Sequence, residues 1–168
     1  MNVRLTCYWM VNLDDPKSWA SYQREDDPES VEVEGVPFPM AFLRAVMMEG
    51  CGKAGAKVLA SEGKGKWAFI DEVKFPWGPD ARGGALVPFK SIAVDPKLFV
   101  LGKDYYAPQL KGVPLPDGSL HDGTLHACDT GGRIIMNHID WFVGTRENWR
   151  AILPSLPTFI NVMEVPSA

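Results

Sequence analysis

The chain has 168 residues, 46% hydrophobic and 23% charged, with a formal net charge of −4. That is material for one domain with a real core, and the acidic balance excludes a global basic footprint for nucleic acid. No apolar run approaches the ~18 residues of a membrane-spanning helix, and Lys64, Lys66 and Lys74, diluted by Asp71 and Glu72, read as a solvated face.

The start of the chain lacks the basic, apolar and cleavage regions of a secretory leader. Two expectations follow. Either the protein is cytosolic as made, or a leader has been removed and the protein works in the cell envelope or outside it. Cys7, Cys51 and Cys128 are odd in number and form no C-x-x-C. That argues against a disulfide framework and a zinc ribbon. Three buried reduced thiols are expected, with one bridge plus a free thiol as the alternative. Cys128 is a poor nucleophile, because the neighbouring Asp129 charge discourages a thiolate.

Residues 3–11 read as a strand, with Leu5, Cys7 and Trp9 on one face and Thr6, Tyr8 and Met10 on the other. Residues 12–36 are polar and acidic. They are expected to be a surface loop with one helical turn near Pro16, held by Trp19 and Tyr22. Residues 39–48 are the best helix: Pro39 suits the first turn, Phe42, Leu43, Val46 and Met47 make the apolar stripe, and Gly50 and Gly52 stop it. Residues 56–60 and 66–70 read as strands joined by a turn. A Pro- and Gly-rich loop follows over residues 74–84. Its Trp77 could stack on a sugar ring or plug the core.

Residues 85–94 form a strand candidate interrupted by Pro88, ending in an Asp95-Pro96 turn. A short strand at Tyr105, a loop over 109–123 with a hairpin tip at Pro116 to Gly118, and a strand at 124–128 come next. After Asp129 and Gly131-Gly132, residues 139–143 are a strand. Thr145 caps a helix whose buried side is Trp149, Ile152 and Leu153, and residues 158–165 close the chain as a strand. Many short strands, two helices and no βαβ rhythm indicate an all-β barrel with helical insertions, or α+β.

Three aspartates, Asp95, Asp129 and Asp140, sit in or beside apolar strand-like runs between residues 91 and 144. Burial favours the run and penalises the carboxylate, so each marks a candidate site. Asp129 and Asp140 are eleven positions apart, and Gly131-Gly132 can turn the chain so that they meet. His138, two before Asp140, shares its strand face. A metal set of His121, His126, Cys128 and Asp129 fits no standard spacing, and no phosphate-binding glycine loop is present. No metal or cofactor is expected.

The series Ser91-Ile92-Ala93-Val94-Asp95-Pro96, Leu101-Gly102-Lys103-Asp104-Tyr105-Tyr106, Ala127-Cys128-Asp129-Thr130-Gly131-Gly132 and Ile139-Asp140-Trp141-Phe142-Val143-Gly144 resembles the 3D domain. This family is named for three aspartates and includes the C-terminal part of MltA-type lytic transglycosylases. The likeness runs from about Ser91 to Val165, and Thr6-Cys7-Tyr8 resembles the family's opening strand. It implies a six-stranded double-psi β-barrel, shared with expansins, with two or three short helices inserted. The whole of residues 1–168 would be one such domain, carrying a polar insertion at about 12–36 and a helical one at about 37–52.

The resemblance also implies a polysaccharide partner, peptidoglycan or a cellulose-like glycan. By position, Asp140 matches the catalytic aspartate, Asp129 its partner carboxylate and Thr6 the threonine facing them. Asp95 matches the first family aspartate and is expected to hold a turn. Thr6, Tyr8, Thr130, Trp77 and His138 are the expected substrate-contacting set. The expected activity is lytic transglycosylation with Asp140 as general acid and then base. An inverting hydrolase and a non-catalytic, expansin-like glycan-binding module are the alternatives. The residues after Gly131-Gly132, Arg133 to Asn137, depart from the small or basic residues usual there.

Overall fold

The structure is a computed structural model and describes residues 1–166. Strand β1 (Asn2–Tyr8) is shorter than the run of 3–11 suggested. It stops at Trp9 because the chain there passes from one compact unit to another: Met1–Trp9 with Asp80–Ala168 forms the first, Met10–Pro79 the second. Both expected insertions lie in the second unit.

The second unit holds β2 (Val11–Asn12), β3 (Ser30–Val33), β4 (Val36–Pro39), helix α1 (Met40–Glu49), β5 (Cys51–Ala54), β6 (Lys57–Gly63) and β7 (Lys66–Ile70). Its main sheet runs β2-β5-β6-β7, and β3-β4 is a separate hairpin. The 3-10 turn Pro16–Ser18 starts where expected, with the Asp15 carboxylate accepting from the Lys17 amide. Strand β3 falls in the stretch expected to be loop, because Val31 and Val33 alternate with Glu32 and only the valines pack inward. Helix α1 ends on Gly50 at φ 93°. Its buried side is Ala41, Phe42, Leu43, Ala45 and Val46, whereas Met47 is exposed. Arg44 on this helix is ion-paired with Asp27, which ties the acidic segment to α1.

The first unit continues with β8 (Ser91–Ala93), β9 (Asp104–Tyr106), β10 (Thr124–Asp129), β11 (His138–Phe142), α2 (Arg146–Ile152), β12 (Phe159–Asn161) and β13 (Met163–Glu164). Strand β8 is short because the chain turns through Phe89 at φ 61° just before it. The expected hairpin tip is present: Pro114 bridges Leu120, and Gly118 takes φ 85°. Thr145 caps α2 by accepting from the Asn148 amide at 3.1 Å. On α2 only Ile152 is buried; Leu153 is exposed, since the helix has already given way to the turn at Pro154.

These strands form one mostly antiparallel sheet of seven, ordered β12-β1-β11-β8-β10-β9-β13, with β1/β11 and β8/β10 parallel. Its two edge strands, β12 and β13, are separated in sequence by Val162 alone. In a flat sheet, six inter-strand steps would hold the edges about 29 Å apart. One linking residue reaches only about 7 Å. The sheet therefore curls until both edges meet at Val162, whose amide donates to the Met1 carbonyl at 2.8 Å. Ile92, Val94, Leu125, Ala127, Ile139, Trp141 and Ile160 fill its inside, all with no exposed surface.

Candidate active site

Alternation on β11 turns Ile139 and Trp141 into the core, so His138 and Asp140 share the opposite face. The same face of β1 carries Thr6 and of β8 carries Ala93, because Thr6 pairs with Asp140 and Asp140 with Ala93. Strand β10 reaches this row by a β-bulge. Ala127 pairs with Ile92, but Asp129, not Cys128, pairs with Ala93. Without that extra residue the acid would point into the core. Asp129, Ala93, Asp140 and Thr6 thus lie in one row across four strands. The two acids are two strand spacings apart, about 9.6 Å at the backbone, with only an alanine between them.

Each acid has its own partners. Thr6 Oγ1 donates to Asp140 Oδ1 at 2.6 Å and also contacts His138 Nε2 at 2.8 Å. Tyr8 OH donates to Asp129 Oδ2 at 2.8 Å, and the Thr130 amide donates to Asp129 Oδ1 at 2.9 Å. The Ala81 amide also lowers the proton affinity of Asp129. Burial pushes the Asp140 carboxyl above the usual range, against the Thr6 hydrogen bond and the His138 charge, and Asp129 adds to the rise. Burial also pushes Asp129 up, against the Tyr8 and Thr130 hydrogen bonds, with Asp80 adding to it. Tyr8 is itself driven well above its ordinary range by burial and by Asp129, so it stays a hydrogen-bond donor. A carboxyl raised by burial holds its proton to higher pH, which is what a general acid needs.

The cysteines are not part of this chemistry. Burial and Asp140 push the Cys7 thiol up to about 12, and burial chiefly pushes Cys128 up to about 11. All three cysteines are thiols, not half-cystines, though Cys7 is only half-buried. The four residues considered as metal ligands are committed elsewhere. His121 Nε2 donates to the Phe89 carbonyl at 2.8 Å, and His126 Nδ1 meets Asp104 at 2.6 Å.

Among the expected site residues, Thr6, Tyr8, Thr130, Asp129, His138 and Asp140 come together. Trp77 belongs to the other unit, half-buried, its carbonyl accepting from Cys51 Sγ. Asp95 stands at the end of β8, its carboxylate accepting from the Lys97 amide at 2.9 Å and the Met136 amide at 2.7 Å. It thereby fixes the β10–β11 loop, in which Met136 takes φ 57°. Neither Gly131 nor Gly132 adopts positive φ, so the return from Asp129 does not use glycine's freedom as expected. Gly131 is needed for space: a Cβ there would lie 2.8 Å from Ile134 Cγ1.

Two contributors were missed from sequence. Ala93 carried no chemical signal. Asp80 lies inside a Pro/Gly loop, although an Asp three before a Gly is a turn signature; its Oδ1 accepts from the Arg82 and Gly84 amides, both at 2.8 Å.

With this geometry in place, the comparisons with known proteins are specific. The model of the family described as the 3D domain matches residues 90–153. Among solved structures, Escherichia coli MltA with bound chitohexaose is similar at a TM-score of 0.60 and 14% identity, over 99% of this chain and 72% of that one. The membrane-bound lytic murein transglycosylase of Agrobacterium tumefaciens is similar at 0.51 and 13% identity, over 96% of this chain and 71% of that one. This likeness is one of fold. No curated protein matches the chain.

Proposed function

We propose that the protein is a lytic transglycosylase-like enzyme that cleaves a cell-wall glycan, peptidoglycan first, with Asp140 as general acid and then base. The observation that carries this reading is the row Thr6–Asp140–Ala93–Asp129, with both carboxyls raised by burial but unequally served by donors. Asp129 accepts from Tyr8 and the Thr130 amide. Among the described residues, Asp140 accepts from the Thr6 hydroxyl alone, which leaves it as our choice of acid. The MltA likeness and the 3D domain support the glycan class.

In the reaction, Asp140 protonates the glycosidic oxygen as the C1–O bond breaks. Asp129 stabilises the oxocarbenium-like state as an anion. The sugar's own 6-hydroxyl then attacks C1 while Asp140 takes its proton, so the acid is regenerated without water. Thr6, Tyr8, Thr130 and His138 line the sugar-facing side, and Asp95 holds the turn behind the site. The architecture we propose is the six-stranded double-psi barrel: β12 and β13 count as one strand kinked at Val162, closing β1, β11, β8, β10 and β9, with residues 10–79 inserted after β1. An envelope or extracellular location follows from the substrate.

Asp140→Asn keeps shape and removes the acid, so purified variant is expected to leave no clearing in a peptidoglycan zymogram. Clearing at the wild-type rate overturns the assignment. A second reading is favoured by the two-strand separation of the acids: an inverting hydrolase, whose carboxyls stand ~6.5–9.5 Å apart. Product mass decides, since the anhydro end is lighter than the hydrolysed end by one water. Wall binding with no released fragment would instead identify a non-catalytic module.

A further inference from the structure

We infer that His138 is a positioning residue that loads Asp140 with its proton through the Thr6 hydroxyl. This rests on the reading of Asp140 as the acid, and it adds where the acid obtains its proton in a buried row. Thr6 has one hydroxyl hydrogen and two partners, Asp140 Oδ1 at 2.6 Å and His138 Nε2 at 2.8 Å. While it donates to an ionised Asp140, it can only accept from His138, so Nε2 must carry a hydrogen. When Asp140 is protonated on Oδ1, the chain reverses: the acid donates to Thr6, and Thr6 donates to a bare Nε2. The two arrangements differ by one concerted shift. The Nε2–H bond breaks as that proton passes to Thr6 Oγ1, and the Thr6 proton passes to Asp140 Oδ1. Imidazolium becomes imidazole, carboxylate becomes carboxylic acid, and Thr6 emerges as a hydroxyl.

Nothing else in the surroundings serves as well. Strand β8 contributes no titratable side chain. Strand β1 offers Arg4, opposite His138, and Cys7 and Tyr8, whose protons are held too tightly to move near neutral pH. Strand β10 offers Asp129, whose two oxygens already accept from the Tyr8 hydroxyl and the Thr130 amide. Of these side chains, only the imidazole presents a ring nitrogen that can either carry a proton or accept one from the Thr6 hydroxyl. His138 is also half-buried, in touch with solvent at one end of the chain of bonds. A glycan that covers the row removes water from Asp140 and disfavours the separated ion pair. The proton then moves inward with no solvent needed.

The test titrates the Asp140 carboxyl carbon by NMR in the free protein and measures glycan cleavage against pH, in wild type, His138→Gln, Thr6→Val and Thr6→Ser. Expected in wild type is a two-step Asp140 titration, the sign of a coupled pair. His138→Gln and Thr6→Val collapse it to one step, and Thr6→Ser restores it. In His138→Gln the basic limb of the cleavage profile moves to lower pH by about one unit or more. Identical Asp140 titration in wild type and His138→Gln overturns the relay. So does a two-step titration that survives Thr6→Val. Two-step titration in a protein that cleaves no glycan would instead refute the enzymatic reading and leave the coupling standing.

Discussion

Tyr8→Phe isolates the contribution of one hydroxyl to Asp129. The ring stays, packed on Phe142 with centroids 5.1 Å apart, so the strand and core are kept. The O–H donor at 2.8 Å from Asp129 Oδ2 is lost, leaving only backbone amides on that carboxylate. A hydrogen bond to a charged acceptor is worth about 1.5–3 kcal/mol. Because the bond favours the ionised form, its loss raises the proton affinity of Asp129 by roughly 10- to 100-fold. The carboxyl is mostly buried, so solvent screening does not erase the effect. Titration of the Asp129 carboxyl carbon reads it directly. Cleavage reads it a second way: the acidic limb, where Asp129 must be ionised, moves to higher pH. An Asp129 titration that does not move refutes the account of the site, whatever happens to the rate.

The two buried acids have raised folded values, so their contribution to stability is full below the unfolded value of about 3.9 and is lost as pH rises through the folded values. Asp140→Asn is therefore expected to raise Tm at neutral pH but not near pH 4, each kcal/mol relieved giving about 2–4 °C in a chain of this size; a uniform shift at both pH values contradicts it. Gly131→Ala forces a Cβ to 2.8 Å from Ile134, costing about 1–3 kcal/mol of overpacking, whereas Gly132→Ala meets nothing within 4 Å; equal chemical-denaturation midpoints for the two would refute this. Cys7 and Cys128 should resist iodoacetamide at pH 8 in the folded protein and react once it is unfolded, as mass spectrometry would show. Rapid alkylation of either in the native state contradicts their assignment as neutral thiols.

Features written in a few adjacent residues were readable from sequence. Pro39 and Gly50 bracket α1, Thr145 starts α2, and Pro116 to Gly118 makes the hairpin tip. Strand alternation also placed His138 beside Asp140 and Thr6 beside Tyr8. Long-range features were hidden. The strand expected over 158–165 is cut at Val162 because its two halves pair with opposite edges of one sheet, and no local signal marks that. Residues 10–79 gather into their own unit although two short stretches of them looked like separate inserts. Met47 and Leu153 fit the helical stripe by spacing and are exposed nonetheless, since they sit in the last turn or just past it.

The deepest of these hidden features is the bulge at Cys128. Asp140 reaches the site by plain alternation, but Asp129 reaches it only because the β8 ladder skips Cys128. The same irregularity places the carboxylate within reach of backbone amides, Thr130 beside it and Ala81 from the next loop. Asp140, inside a regular ladder, finds its neighbours' amides already used and turns to the Thr6 hydroxyl. A hydroxyl can reverse its direction; an amide cannot. In the proposed reading, backbone regularity divides the labour between the two aspartates: the one on the bulge also accepts from fixed amides, and the one on the regular strand is left with a hydroxyl that can reverse.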